Sequence, residues 1–158
     1  MQGACRPDKA IPVSLLGIGM ATSPRTVVER IVEAQSDHNL EGMLEWFAPD
    51  YRTETPVHPE RDFVGRDQVR ETWETVFRTT PDFEATVLDL VADGDTVWAE
   101  LRHSGTQVDG TPIDKRGVVI FGVEDGLLTR GRVYLEQSEA GDETWQQLYE
   151  VGREYGTN

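Results

Sequence analysis

At 158 residues, with 37% hydrophobic side chains including four Trp, four Tyr and five Phe, the chain has the size and apolar content of one globular domain. Fifteen Lys and Arg against 29 Asp and Glu leave a net charge of −14, which excludes the basic stripe needed to bind nucleic acid or an anionic membrane surface. The single Cys5 excludes an internal disulfide, and no apolar run reaches the length of a membrane span.

The first signals along the chain are weak. Ala10 to Ala21 is a short apolar stretch behind Arg6 and Lys9, like a thin signal peptide ending at Gly19-Met20-Ala21, but two Gly, a Pro and a Ser interrupt it. Met20, just ahead of the first helix signal, is an alternative natural start. Residues 1–22 are therefore expected to be a poorly ordered extension, and the cytoplasm is the expected location.

Order is expected from Ser23-Pro24, a hydroxyl cap followed by Pro at the first helical position. Val27, Val28, Ile31, Val32 and Ala34 then recur on one face of a helix running to His38. A short second helix follows Asn39, with Leu40, Met43, Leu44 and Phe47 inward, and Pro49-Asp50 is expected to stop it. Tyr51, Thr53 and Thr55 alternate as a short extended piece until Pro56 and Pro59 break the pattern. Gly65-Arg66-Asp67 opens a third helix with Val69, Trp73, Val76 and Phe77 inside, and Pro81 closes it.

From Phe83 the apolar period changes from 3.6 to 2. Phe83 to Val91 is the first long strand, Asp93-Gly94-Asp95 its turn and Thr96 to His103 its antiparallel partner. A Gly-rich loop is expected from Ser104 to Lys115. Arg116 to Val123, the turn Glu124-Asp125-Gly126 and Leu127 to Glu136 complete the sheet, and Asp142 caps a last helical stretch with Trp145, Leu148, Tyr149 and Gly152 on one side. Helices first and strands afterwards predict an α+β fold, three N-terminal helices packed on a curved, mostly antiparallel sheet, with a C-terminal helical extension. One domain over residues 23–137 follows, with 138–158 as its extension. Alternation puts Val97, Ala99, Leu101 and His103 on one face with Thr129, Gly131, Val133 and Leu135. Trp98, Glu100 and Arg102 turn outward with Arg130, Arg132, Tyr134 and Glu136, where Arg132 and Glu100 are expected to pair.

The short helix ending Trp46-Phe47-Ala48-Pro49-Asp50, Thr55-Pro56 and Gly65-Arg66-Asp67 together resemble the NTF2-like superfamily, and within it the SnoaL-like polyketide cyclases. Gly94-Asp95-Thr96-Val97, Ser104-Gly105-Thr106 with Gly110, and Glu124-Asp125-Gly126-Leu127-Leu128 ahead of Tyr134-Leu135-Glu136 agree with it, so the resemblance spans about residues 24 to 137. It implies a cone-shaped sheet with a pocket under the helices, and dimers paired through the outer sheet face. It does not fix the chemistry, because this fold hosts hydrolases, isomerases, dehydratases, cyclases and plain binders.

The related catalytic sets are incomplete here. The general-base Asp of ketosteroid isomerases falls on Thr55, while the adjacent Glu54 is turned away by strand alternation. The Arg and two Asp of limonene-epoxide hydrolases fall on Leu101, His103 and Val133, and their Tyr and Asn on Thr53 and Thr55. In SnoaL cyclases an acid/base Asp near the start of the third strand works with a His on the strand before; His103 matches the His, and Asp114 lies close to the Asp position, which itself falls near Arg116 or Gly117.

His103 is thus the candidate acid/base group, with Asp114 and Tyr51 as candidate partners. Trp46, Trp73 and Phe77 read as core or as an aromatic pocket wall, joined by Tyr51, Thr53, Thr55, Leu101 and Val133 as candidate ligand contacts. His38 is assigned to the helix end and His58 to a loop at the pocket lip. The three His stand in unrelated elements without a metal-ligand spacing, and no phosphate loop or nucleophile motif occurs, so neither metal nor cofactor is expected. Three functions remain open: acid/base chemistry on a small polyketide- or terpenoid-like molecule, non-catalytic carriage or sensing of such a molecule, and a dimerisation module anchored by Trp98 and Tyr134.

Overall fold

In the computed structural model, the structure describes residues 22–139 and Gly141. The expected N-terminal extension up to Ala21 and the final helical stretch from Asp142 lie outside the described residues.

Helix α1 (Pro24–Ser36) starts where the Ser23 side chain accepts the Thr26 N–H and Pro24 presets the first turn. Its inner face buries Val27, Val28, Ile31, Val32, Ala34 and Gln35. The helix gives way at His38, which takes a positive φ of 53°. The His38 Nε2–H donates to the Phe83 carbonyl at 3.0 Å, and its ring stacks on Phe77 with centroids 4.6 Å apart, so this His secures the helix end against the sheet.

Helix α2 (Leu40–Leu44), capped by Asn39, is shorter than the expected helix that Pro49-Asp50 was to stop. Strand β1 (Phe47–Glu54) has already begun by then and contains Pro49. Proline is tolerated there because the pairing of β1 with its neighbour shifts register between Phe47 and Arg52, so no ladder N–H is missing. A 3-10 turn (Pro59–Arg61) and the two-residue strand β2 (Phe63–Val64) lead to helix α3 (Arg66–Thr79).

Strands β3 (Glu84–Asp93), β4 (Thr96–Thr106), β5 (Pro112–Glu124) and β6 (Leu127–Gln137) form consecutive hairpins. The six strands lie in the order β2-β1-β6-β5-β4-β3, antiparallel except where β1 runs parallel to β6. The fold is the expected α+β cone, with β1 and β2 added to the four predicted strands. The loop expected over Ser104 to Lys115 is reduced to Gln107–Thr111, because β4 and β5 stay paired through Ser104–Asp114, Gly105–Ile113 and Thr106–Pro112. Gly105 is there to let the end of α3 pass, not to break the strand: a Cβ on it would lie 2.6 Å from Thr80 Cγ2.

The core lies between α1, α2 and the inner sheet face, with Val97, Ala99, Leu101, Val119 and Val123 buried as alternation requires; Leu128 joins them out of alternation, because the β5–β6 pairing shifts register between Gly122 and Val123. Helix α3 is held differently. Only Val69 is fully buried on it, while Trp73, Val76 and Phe77 are partly buried beside the core. On the outer face Arg132 does not pair with Glu100. Its Nε–H donates to Glu54 on β1 at 2.9 Å, because β6 neighbours β1 and β5, whereas Glu100 lies opposite Val118 across β5.

Candidate functional site

Between α1, α3 and the concave sheet face lies a cavity of about 510 Å³, within the roughly 300–1,000 Å³ typical of small-molecule sites. Ile31, Val32 and Gln35 reach it from α1; Val69, Trp73 and Val76 from α3; Leu101, Val119, Phe121, Val133 and Leu135 from the sheet. Among the described residues none that lines it is Asp or Glu.

His103 projects into this space, as its parity with Val97, Ala99 and Leu101 on β4 dictates. Its ring stands edge-on to Phe83 at 5.2 Å and to Trp73 at 6.1 Å. Burial, and next the charge of Lys115 across the β4–β5 ladder, push its pKa down to about 4, so the imidazole is neutral at pH 7. Its Nε2 is buried and has no hydrogen-bond partner among the described residues. Such an atom is costly to leave unmatched and is a natural contact for a ligand hydroxyl or carbonyl.

Strand β1 supplies a second polar line. Tyr51 and Thr53 turn inward by alternation, Thr55 continues the line just past the strand, and all three line the cavity. Burial raises the Tyr51 hydroxyl to about 12, the neighbouring Thr53 hydroxyl offsetting part of the rise, so Tyr51 stays a neutral phenol. Phe47 packs edge-on to its ring at 4.8 Å. The Thr55 N–H donates to Asp62, which holds the Pro56–Arg61 loop against the end of β1.

The cavity thus gathers His103, Tyr51, Thr53, Thr55, Trp73, Leu101 and Val133, as expected from the sequence, but three expected residues lie elsewhere. Asp114 is opposite Ser104, on the outer face, and accepts from Arg102 Nε at 2.7 Å with Arg116 3.6 Å away. These guanidinium partners hold its carboxyl below the usual range, and strand parity turns it away from His103. Phe77 is taken up by His38 and Trp73, and Trp46 sits at the core edge, where its carbonyl accepts the Leu128 N–H at 2.7 Å. His58 does not line the cavity; its Nε2 lies 3.1 Å from Glu136, and Arg61 reaches the cavity from that loop instead.

The polar wall residues that sequence reasoning missed include Gln35, Arg61, Gln107 and Lys115. Gln35 is only 7% exposed, and its Oε1 has no partner among the described residues. It follows Ile31 by four residues, so the helical spacing of α1 already put it on the inner face. Lys115 shares parity with Val119 and Phe121, a signal hidden once residues 104–115 were read as a loop. Among the described residues no cluster of three or more His, Cys, Asp or Glu is arranged to hold a metal.

A cone of this topology, closed by three helices over a pocket, defines the NTF2-like class. A SnoaL-like domain profile matches residues 28–131, and the chain belongs to that family. Similar solved structures include a candidate ketosteroid isomerase from Kribbella flavida, with a TM-score of 0.62 and 22% identity over 79% of this chain and 86% of that one. Another is IdmH, a candidate polyketide cyclase from Streptomyces antibioticus, with a TM-score of 0.63 and 23% identity over 72% of this chain and 92% of that one. A third is a candidate SnoaL-like polyketide cyclase from Jannaschia, with a TM-score of 0.63 and 20% identity over 82% and 92% of the two chains. At these identities the likeness establishes the fold alone. No curated protein matches the sequence. Among the described residues no helix is long and apolar enough to cross a membrane.

Proposed function

We propose that this SnoaL-like domain, over residues 23–137, binds a small apolar molecule of polyketide or terpenoid type in its cone and acts on it through His103. The observation that carries the reading is the unpartnered, buried imidazole nitrogen in an apolar cavity of ligand size. A neutral imidazole can hold a carbonyl or hydroxyl at rest and take a proton as charge develops on the ligand. Tyr51, Thr53 and Thr55 are further groups able to orient an oxygen, with Trp73, Leu101 and Val133 as the apolar wall.

A second reading, non-catalytic carriage, has its own support: no carboxylate of the described residues lines the cavity, and an imidazole with a pKa of about 4 is a weak base at neutral pH. Two probes separate the readings. Nile red, a neutral apolar dye, is expected to bind saturably to the wild type and not to Leu101→Trp, which fills the cavity from the sheet side. Exchange of the α-protons of 2-tetralone in deuterated water is expected to be accelerated by the wild type and not by His103→Ala. Dye binding without accelerated exchange supports carriage; no dye binding at all refutes both.

We further assign the outer sheet face to a homodimer contact. Trp98 is 53% exposed there, in a row that runs from Val91 through Trp98 to Ile120, with Tyr134 beside Val118 on the next. Equilibrium sedimentation is expected to give a dimer that Trp98→Ser converts to monomer. The interrupted apolar stretch at residues 10–21 supports a cytoplasmic location over export.

A further inference from the structure

The chain carries almost twice as many acidic as basic side chains, yet among the described residues the charged ones on its cavity wall are both cations, Arg61 and Lys115. They come from unconnected elements, the 3-10 turn after β1 and the start of β5, and both are exposed where they border the cavity. The surrounding basic groups on β4 and β5 are satisfied: Arg102 and Arg116 share Asp114 on the outer face. Lys115 points the other way, and it has no ion pair among the described residues. Among the described residues the single ion pair of Arg61 is with Glu60, its exposed neighbour, at 3.8 Å.

An unpaired Lys facing a buried imidazole is an unfavourable arrangement in an acidic protein, where a carboxylate partner would be easy to supply. It becomes favourable when an anion sits between the cations. On the reading that the cone holds an apolar ligand, we propose that this ligand is a carboxylic acid, its hydrocarbon body against Trp73, Phe83 and Leu101 and its carboxylate at the mouth beside Lys115 and Arg61. The overall negative charge of the protein opposes this only weakly, because exposed charges farther than about 8 Å are screened at physiological ionic strength. The same contact bears on His103. Lys115 lowers the proton affinity of that imidazole, and a carboxylate neutralising Lys115 raises it again.

The test compares naphthalene-2-acetate with its methyl ester as displacers of Nile red. In the wild type the acid is expected to displace the dye at about one-tenth of the ester concentration, the scale of one or two partly exposed charge pairs. Lys115→Gln should bring the two within about twofold by weakening the acid alone, and Lys115→Arg should keep the preference. In the wild type the acid, and not the ester, should move the His103 ring resonances to a higher titration midpoint in NMR. Equal displacement by acid and ester, or a preference that survives the Lys115→Gln, Arg61→Gln double variant, overturns the inference and leaves the apolar pocket standing. Failure of Nile red to bind overturns the pocket and the inference together.

Discussion

Replacing Gly131 with Ala tests whether the cavity wall is as tightly built as the structure describes. A Cβ at Gly131 would lie 2.2 Å from Tyr51 Oη and 3.3 Å from its Cζ. Ordinary contact needs roughly 3.5 Å, so the phenol must retreat by about 1 Å. It has little room, because Tyr51 is buried and Phe47 stands against its ring. Overpacking of this kind costs about 1–3 kcal/mol. Loss of backbone freedom in the unfolded chain offsets roughly 0.4–1 kcal/mol, which leaves a net loss of about 1–2 kcal/mol. Urea unfolding should report that loss as a lower midpoint with an unchanged slope. Tyr51→Phe removes the clashing oxygen, so the double variant should recover most of the loss, with a coupling of about 1 kcal/mol or more. If Gly131→Ala stays within about 0.5 kcal/mol of the wild type, or the two changes simply add, the close approach is refuted.

Gly117→Ala should be worse, at about 3 kcal/mol or more, since its Cβ would lie 1.9 Å from the Tyr134 carbonyl and no side chain can yield; chemical denaturation measures it. His103 titrates near 4 when folded, below its unfolded value of 6.5, so the unfolded chain binds the extra proton between these limits. Stability present above pH 6.5 should therefore fall as pH drops toward 4, by up to the order of 3 kcal/mol, and His103→Phe should flatten that part of the pH profile in thermal melts. Asp114→Asn, on the outer face, should leave both Nile red affinity and the urea midpoint close to the wild type, because its ion pairs are exposed to solvent, read by dye titration and unfolding in parallel. Ser23→Ala should lower stability by about 1 kcal/mol by removing the α1 cap, a value that unfolding curves at neutral pH can check.

Much of this arrangement could be read in the residues because period and punctuation agree. The alternation on β4 placed His103 inward beside Leu101, and the cap at Ser23 and the turn at Asp125-Gly126 fixed the ends of their elements. Two of the misreadings share one cause, the treatment of glycine and proline as breaks. Pro49 reads as the end of a helix, yet it sits in a strand where pairing is already irregular. Gly105 reads as part of a loop, yet it serves a close packing contact inside a hairpin. That error hid the parity of residues 113–117, and with it both the outward aim of Asp114 and the inward aim of Lys115. Pairing across three strands is likewise invisible to a linear reading, which is why Glu54 was not seen as the partner of Arg132.

The sparse anchoring of α3 has a consequence for how the cone would accept and release its contents. A helix with one fully buried residue is fastened along one edge and leans over empty space along the rest. A molecule lodged beneath it would act as the absent neighbour of Trp73 and Val76, so capture and the tightening of that lid become a single event. The sheet, stapled by ladder bonds on every interior strand, would stay still while the helical wall breathed, and amide exchange along residues 66–79 should slow when the hollow is occupied.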